Sequence, residues 1–299
     1  MVERRFPLPD TPQAVERARA ALAGELEAAP ARPAATVMVV REAGAGALDA
    51  AVLTAAGVEA PASAGVPGAE VFVLKRVSTM AFAPSTYVFP GGGVDPRDAT
   101  PDLPWAGPSR GEWAALMDVS DDEAEMLVVA AIREVFEECG VLLAGDREGA
   151  PLVDVRSDDW AARRAALVAH EASLAEVLTE AGLVARTDLL SYRAHWITPT
   201  FEPRRYDTHF FAALLPDGQA ADDATTEADH ARWVRPADLL EQAAAGRARI
   251  LPPTLICLEA LAATPSAAAF LAERPPTSPI QPELVTDENG AVWLVSRHP

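Results

Sequence analysis

Residues 133–141 read Arg-Glu-Val-Phe-Glu-Glu-Cys-Gly-Val, and they constrain the fold of this chain more than any other segment. Four apolar residues recur at helical spacing, which predicts a helix with one face packed on a core: Ile132, Val135, Phe136 and Cys139. Three carboxylates crowd the same two turns: Glu134, Glu137 and Glu138. Like charges four residues apart destabilise a helix by roughly 0.2–0.5 kcal/mol per pair. Taken alone, three such glutamates most often form a solvated acidic face. The alternative is a site for a divalent cation, which takes carboxylate ligands and often shares them with substrate phosphates.

The ends of this helix are also marked in the sequence. Ser120 followed three residues later by Glu123 is the pattern of a helix start, and Gly140 is a typical residue just beyond a helix end. We therefore expect the helix to run from about residue 121 to residue 139. Cys139 falls on its core face, so we expect a buried thiol rather than a disulfide or a metal ligand.

The ordered string around the glutamates resembles the Nudix box, G-x5-E-x7-R-E-U-x-E-E-x-G-U, in which U is a bulky aliphatic residue. Residues 133–141 satisfy every specified position, and Glu125 stands where the pattern has its first glutamate. The chain is thus similar to Nudix hydrolases. The resemblance implies an α/β fold, namely an α/β/α sandwich with a mixed central sheet, extended here by extra helices and by an insertion within the box.

The insertion is inferred from the first half of the box, which is displaced. Val119 stands where the pattern needs glycine, and a glycine-rich loop occurs upstream at residues 89–96. If Gly92 is the box glycine, the next specified position is Asp98, and both lie about 27 residues too early. One insertion at about 99–124 accounts for both displacements. Because this stretch is rich in proline and glycine, we expect it to be a surface excursion.

A split box resembles the branch of the family that includes mammalian peroxisomal enzymes cleaving coenzyme A and its acyl esters. Three other segments resemble the same branch: residues 71–76, 205–211 and 251–254. This resemblance implies a hydrolase that cleaves the diphosphate of coenzyme A or acyl-coenzyme A. Arg76 matches one arginine of an upstream motif found in such enzymes, whereas Met80 stands at the position of a second.

The resemblance also implies roles for individual residues. Glu134, Glu137 and Glu138 would bind Mg²⁺ or Mn²⁺, and Arg133 would orient a box glutamate. Glu137, Glu138 or another glutamate would act as general base. Glu125 would support the cluster, and Glu227 is a further candidate base. The candidates for contacts with the substrate phosphates are Arg76, Gly91, Gly92, Gly93, Arg204 and Arg205.

Bulk properties exclude several functions. The 299 residues carry a net charge of −19, which argues against binding nucleic acid or an anionic membrane. No run of 18 apolar residues predicts a spanning helix, so we expect a cytoplasmic protein. The resemblance implies a small nucleotide diphosphate as substrate and allows a homodimer. We expect an N-terminal helical extension over residues 1–33, a Nudix domain over 34–263 and a proline-rich tail over 264–299. His195 and His209 are expected to pack within strands.

Two alternatives remain open. The same chemistry could act on ADP-ribose, another nucleotide sugar or another nucleotide diphosphate. A non-catalytic Nudix domain that senses a nucleotide is the second alternative. It is disfavoured because such domains commonly lose box glutamates, whereas this chain keeps them.

Overall fold

The central feature of the molecule is a mixed seven-stranded sheet. The computed structural model describes residues 2–8, 11–44, 68–77, 84–100, 102–146, 148–150, 152, 154–224 and 228–298. Five strands form the main path of the sheet, in the order β11-β3-β2-β10-β9: β2 (Ala31–Glu42), β3 (Ala69–Arg76), β9 (Leu190–Ile197), β10 (Arg205–Leu214) and β11 (Ala228–Val234). β2 and β10 are parallel, and the other pairs are antiparallel. Two short strands pair at its side, β4 (Tyr87–Val88) with β3 and β5 (Gly91–Gly93) with β2.

Helices cover both faces of this sheet, so the α/β/α sandwich is confirmed. One face packs on α2 (Arg110–Met117), α3 (Asp121–Cys139), α4 (Asp158–Val168) and α5 (Leu174–Glu180). The other packs on α6 (Pro236–Ala244), α7 (Pro252–Ala262) and α8 (Ala267–Ala272). Alternate residues of β2 serve the two cores, because successive strand side chains point to opposite faces: Val37 and Val39 face α3, whereas Met38 and Val40 face α7.

Helix α3 has the predicted bounds. The Ser120 side chain accepts from the Glu123 N–H at its start, and Gly140 adopts a left-handed φ of 68° at its end. The four apolar residues of the predicted core face are all fully buried: Ile132, Val135, Phe136 and Cys139. The Cys139 thiol donates to the Val135 carbonyl 2.9 Å away, and burial raises its pKa to about 12. A local apolar pattern with two capping residues was enough to define this element.

The segment between the glycine loop and α3 is not the surface excursion expected from its prolines and glycines. It contains a short strand, β6 (Trp105–Ala106), and the helix α2. Trp113 is buried in the core and packs edge-on against Phe211 of β10, with ring centroids 5.8 Å apart. The segment therefore contributes to the main core, because a helical turn places the side chains of Trp113 and Met117 on one face.

Helical structure between residues 158 and 180 is divided into two helices, α4 and α5. His170, with a positive φ of 59°, lies between α4 and α5. The Ser173 side chain then accepts from the Glu176 N–H and starts α5. Each helix packs a leucine into the core, Leu167 from α4 and Leu174 from α5.

The two ends of the chain form a separate three-stranded sheet. β1 (Val2–Pro7) pairs antiparallel with β13 (Val292–His298), which also pairs with β12 (Glu283–Thr286). The first 33 residues thus contain a strand as well as the helix α1 (Pro12–Leu22), and the proline-rich tail contains two strands and α8. None of the described helices is both long and apolar enough to cross a membrane.

Candidate active site

Arg133 is the centre of the candidate site. Its guanidinium is 3% exposed and donates to both oxygens of Asp98, at 2.8 and 3.0 Å. It also donates to Glu134 Oε1 at 2.8 Å, to Glu137 Oε2 at 3.2 Å and to the Gly93 carbonyl at 3.0 Å. One buried cation therefore ties helix α3 to the glycine loop and fixes the positions of two box glutamates.

The glycine loop lies so close to β2 and α3 that a Cβ on Gly91 or Gly92 would clash. The Gly91 N–H donates to Glu138 Oε2 at 2.7 Å, and a Cβ on Gly91 would lie 2.4 Å from the Ala35 carbonyl oxygen. A Cβ on Gly92 would lie 2.5 Å from Glu134 Oε1. In contrast, a Cβ on Gly93 would meet nothing within 4 Å. The loop backbone thus contacts two of the three box carboxylates.

We expect Gly92→Ala to lower the turnover number of the enzyme roughly 100-fold, because a displacement of about 1 Å at a reacting group has that effect. The new methyl group would push away the Glu134 carboxylate, which Arg133 holds in place. Gly93→Ala is the matched control and should retain full activity. Steady-state kinetics of both variants test this, and equal losses in the two would show that Gly92 does not act through Glu134.

The carboxylates of the site fit a divalent cation chemically. Burial raises the pKa of Glu134 to about 7 and also raises that of Glu137, in both cases against the opposing effect of Arg133. Glu137 Oε1 is buried and has no hydrogen-bond partner among the described residues. Buried acceptors are normally satisfied, so this atom is available to a ligand. Glu134 and Glu137 are turned towards Arg133, and Glu138 towards Gly91, so the three side chains do not yet converge on one point.

These raised pKa values predict how stability depends on pH without metal. Groups whose pKa is higher in the folded than in the unfolded state stabilise the fold below about pH 4.5, and this stabilisation is lost as the pH rises through about 7. Glutamine resembles the protonated acid. We therefore expect Glu134→Gln to raise the melting temperature of the metal-free protein at pH 8 but to change it little at pH 5. Thermal unfolding in a chelator measures this difference, and a variant that is less stable than wild type at pH 8 would contradict it.

A cavity of about 900 Å³ opens over the glutamates. Glu134, Glu137 and the glycine loop line one end of it. Apolar residues line much of the rest, including Phe89, Trp196, Phe210, Leu251 and Leu255. Phe6 of β1, Leu8 just after that strand and Leu294 of β13 complete the wall, so the terminal sheet is part of this site. The size is at the upper end for ligand pockets.

Of the three arginines predicted to contact the substrate phosphates, Arg76 alone lines the cavity. Its Nε is buried without a partner among the described residues. Arg205 instead donates to the carbonyls of Thr198 and Ala29, while Arg204 is exposed, and neither lines the cavity. Tyr206 and Thr208 of β10 do line the cavity, so the side chain of Arg205 points to the opposite face of the strand. The phosphate contacts of Arg204 and Arg205 stay predictions.

Glu125 also lies apart from the cluster. Its carboxylate accepts from the Thr100 N–H at 2.6 Å and pairs with Arg110, so it anchors the segment between the glycine loop and α3. Asp98, and not Glu125, is the acid that pairs with Arg133 in addition to Glu134 and Glu137. Glu227 and Met80 lie outside the described residues.

The structure adds four acidic, basic or histidine side chains that sequence reasoning missed, and all of them line the cavity: Asp95, His170, Glu202 and Arg249. Burial raises the pKa of Glu202. The segment carrying Arg249 is held beside β4 by a hydrogen bond from the Tyr87 N–H to the Arg249 carbonyl, at 2.9 Å. Only the similarity of residues 251–254 to one branch of the family pointed to this region.

Comparisons with known proteins agree with this geometry. The family model described as the NUDT19 Nudix domain matches residues 112–261, just over half of the chain. The crystal structure of a Nudix hydrolase from Alicyclobacillus acidocaldarius superposes with a TM-score of 0.62 at 28% identity, covering 82% of this chain and 96% of that one. The chain therefore belongs to the Nudix hydrolase family.

Two curated relatives narrow the similarity. "Putative nudix hydrolase 7" of Caenorhabditis elegans is 32% identical over 183 residues, which are 61% of this chain and 52% of that protein. "Acyl-coenzyme A diphosphatase NUDT19" of Xenopus laevis is 27% identical over 222 residues, or 62% of this chain and 57% of that protein. The chain thus spans about half the length of the curated relatives it matches.

Proposed function

We propose that this protein is a divalent-metal-dependent hydrolase that cleaves the diphosphate of coenzyme A or acyl-coenzyme A, giving 3′,5′-ADP and the phosphopantetheine part. One observation carries the proposal. Three residues lining a single cavity have buried polar atoms with no partner among the described residues: Arg76 Nε, Glu137 Oε1 and Trp196 Nε1. Residues that line one cavity and supply donors, an acceptor and a cationic group suit an anionic ligand with a bound cation.

Glu134, Glu137 and Glu138 are the residues that would hold Mg²⁺ or Mn²⁺, because both cations prefer oxygen ligands. A cation bound there would neutralise phosphate charge and make an attacking water more acidic. Arg133 keeps two of these carboxylates in place, and the Gly91 N–H keeps the third. Such pre-positioning reduces the rearrangement needed when substrate arrives.

The hydrolysis itself needs a proton acceptor. Water attacks one phosphorus of the diphosphate, the bridging P–O bond breaks, and the water proton passes to a carboxylate. Glu137 is well placed for this step, since it lines the cavity, has a free Oε1 and has a raised pKa. Glu138 and Glu227 remain the other candidates for general base.

The substrate assignment rests on the chemistry of the cavity walls. Coenzyme A combines a charged nucleotide, a diphosphate and a long pantetheine arm, and its acyl esters add an apolar chain. Besides Arg133, two arginines line the cavity, Arg76 and Arg249, together with a long apolar wall. The Xenopus laevis relative is named an acyl-coenzyme A diphosphatase, which favours this substrate over a nucleotide sugar.

We further propose that Gly92 and Asp98 are the displaced first half of the box. Gly92 lies against Glu134, and Asp98 binds Arg133 through both oxygens, whereas Glu125 has other partners. On this proposal the residues between Asp98 and α3, including Trp113, are an insertion that packs on the core.

The test is a substrate panel with the full chain and Mg²⁺ or Mn²⁺, analysed by chromatography and mass spectrometry. The panel comprises coenzyme A, a short and a long acyl-coenzyme A, ADP-ribose, NADH and a dinucleoside polyphosphate. We expect the highest kcat/KM for a coenzyme A compound. Highest turnover of ADP-ribose would favour the nucleotide-sugar alternative. Binding of a nucleotide without turnover of any compound would favour the sensing domain.

Arg76 gives a matched test of the substrate site. We expect Arg76→Gln to raise the KM for coenzyme A about 10–100-fold, because a hydrogen bond to a charged group contributes roughly 1.5–3 kcal/mol. Arg204→Gln removes an exposed arginine outside the cavity and should leave KM unchanged. If Arg204→Gln raised the KM and Arg76→Gln did not, the phosphate site would lie near Arg204 instead.

A further inference from the structure

A second cluster of potential ligands lies on strands β9 and β10. His195 pairs directly with His209 across the two strands, and Asp207 precedes His209 by two residues, so the three side chains share one face of the sheet. One ligand atom from each residue lies within 4.8 Å of the others. Among the described residues, no other group of three histidine, cysteine or acidic side chains meets this condition.

This face is opposite to the active-site cavity. Trp196, Thr208 and Phe210 line the cavity, and they alternate along the strands with the three residues of the cluster. None of the three cluster residues lines the cavity. A ligand bound to them therefore occupies a different site from the substrate of the proposed hydrolase.

The hydrogen bonds of the two histidines leave nitrogen atoms available. The Tyr192 hydroxyl bonds to His209 Nδ1 at 2.7 Å, which leaves Nε2 of this ring for another partner. His195 bonds through Nε2 to Asp207, and its Nδ1 is buried with no partner among the described residues. Both rings are more than nine-tenths buried and are stacked, with centroids 4.1 Å apart. Buried imidazole nitrogens are normally hydrogen-bonded or bound to a metal, so His195 Nδ1 is a candidate ligand atom.

We propose that His195, Asp207 and His209 bind a divalent transition metal ion of the Zn²⁺ type. Two imidazoles and one carboxylate are a donor set that Zn²⁺ accepts readily, whereas Mg²⁺ prefers oxygen ligands alone. The Tyr192 hydroxyl supplies the outer contact that commonly orients a metal-binding histidine. The Asp207 side chain is 35% exposed and gives the ion a route from solvent. Because the ligands come from an edge strand and its neighbour, the ion cross-links β9 to β10.

The experiment uses the untagged full chain. Protein is equilibrated with Zn²⁺ in the presence of excess Mg²⁺, which occupies the oxygen-ligand site on α3, and bound zinc is measured by elemental analysis after removal of free ion. We expect one tightly bound zinc per chain in the wild type. Asp207→Asn keeps the shape and an acceptor oxygen but removes the charge, so zinc affinity should fall at least about tenfold. His195→Gln should have a similar effect.

Glu137→Gln is the control for the site on α3, and it should keep its zinc. Co²⁺ provides a spectroscopic measurement, because histidine ligation in four or five coordination gives stronger visible bands than six oxygen ligands. Those bands should be present in Glu137→Gln and lost in Asp207→Asn. Circular dichroism of Asp207→Asn establishes that it is folded, so its result decides the question even if His195→Gln is unstable. Equal zinc content in wild type and Asp207→Asn, or zinc lost only in Glu137→Gln, would overturn the proposal.

Discussion

Replacing Glu138 by glutamine is expected to lower kcat for diphosphate hydrolysis at least about 100-fold without unfolding the protein. Glutamine has nearly the same volume, and its carbonyl oxygen can still accept the Gly91 N–H that Glu138 accepts at 2.7 Å. The substitution removes only the negative charge, with which the carboxylate would bind a divalent cation or accept a proton. Glu137→Gln should have an effect of similar size, since Glu137 lines the cavity and its Oε1 has no partner among the described residues.

Glu125→Gln is the informative comparison. Glu125 is buried on the same helix, but its partners are the Thr100 N–H and Arg110. We expect this variant to be less stable, yet to keep a kcat close to that of the wild type. Steady-state kinetics across a Mg²⁺ titration distinguish weaker metal binding from slower chemistry. Turnover of Glu138→Gln within about threefold of wild type, at saturating Mg²⁺, would contradict the role proposed for the cluster.

Replacing Arg133 by methionine is expected to destabilise the metal-free protein by about 3–5 kcal/mol, as removal of one partner from a buried ion pair typically does. The guanidinium faces Asp98, Glu134 and Glu137, so its loss leaves three carboxylates in a buried site without their shared cation. Urea denaturation in a chelator at pH 7.5 measures the effect. Because burial raises the pKa values of Glu134 and Glu137, the deficit should become smaller at pH 5.

Arg163→Met is the matched control for this experiment. Arg163 pairs with Asp159 and Glu180, whose side chains are more than two-thirds exposed. Exposed pairs contribute about 0–1 kcal/mol, so this variant should unfold within that range of the wild type. A loss below about 1 kcal/mol for Arg133→Met would show that Arg133 does not hold the site together.

Local sequence patterns predicted the catalytic helix well. Ser120, Gly140 and the apolar spacing between them are short-range signals, and they gave both ends and the buried face of α3. The sequence also pointed to the closeness of Gly92 and α3. Both belong to one family motif, although they are far apart along the chain.

The remaining parts of the site depend on tertiary packing. Arg249 and Glu202 reach the cavity only because distant segments are brought beside β4 and the end of β9. The prolines and glycines before α2 indicated turns, but they carried no information on whether Trp113 would be buried. The same limit applied to Arg204 and Arg205. Their charge suggested phosphate contacts, but neither residue lines the cavity, although other residues of β10 do.

On the proposed function, the pairing of β1 with β13 separates substrate choice from catalysis. The residues that hold the proposed metal lie on one helix and one loop, while Phe6, Leu8 and Leu294 belong to or adjoin strands at the two extremes of the chain. Evolution can therefore vary the apolar wall through changes near either terminus and leave the catalytic helix untouched. On this basis, relatives with the same box can differ in the acyl chains they accept. Exchange of the terminal strands between relatives is then a way to engineer acyl-chain preference.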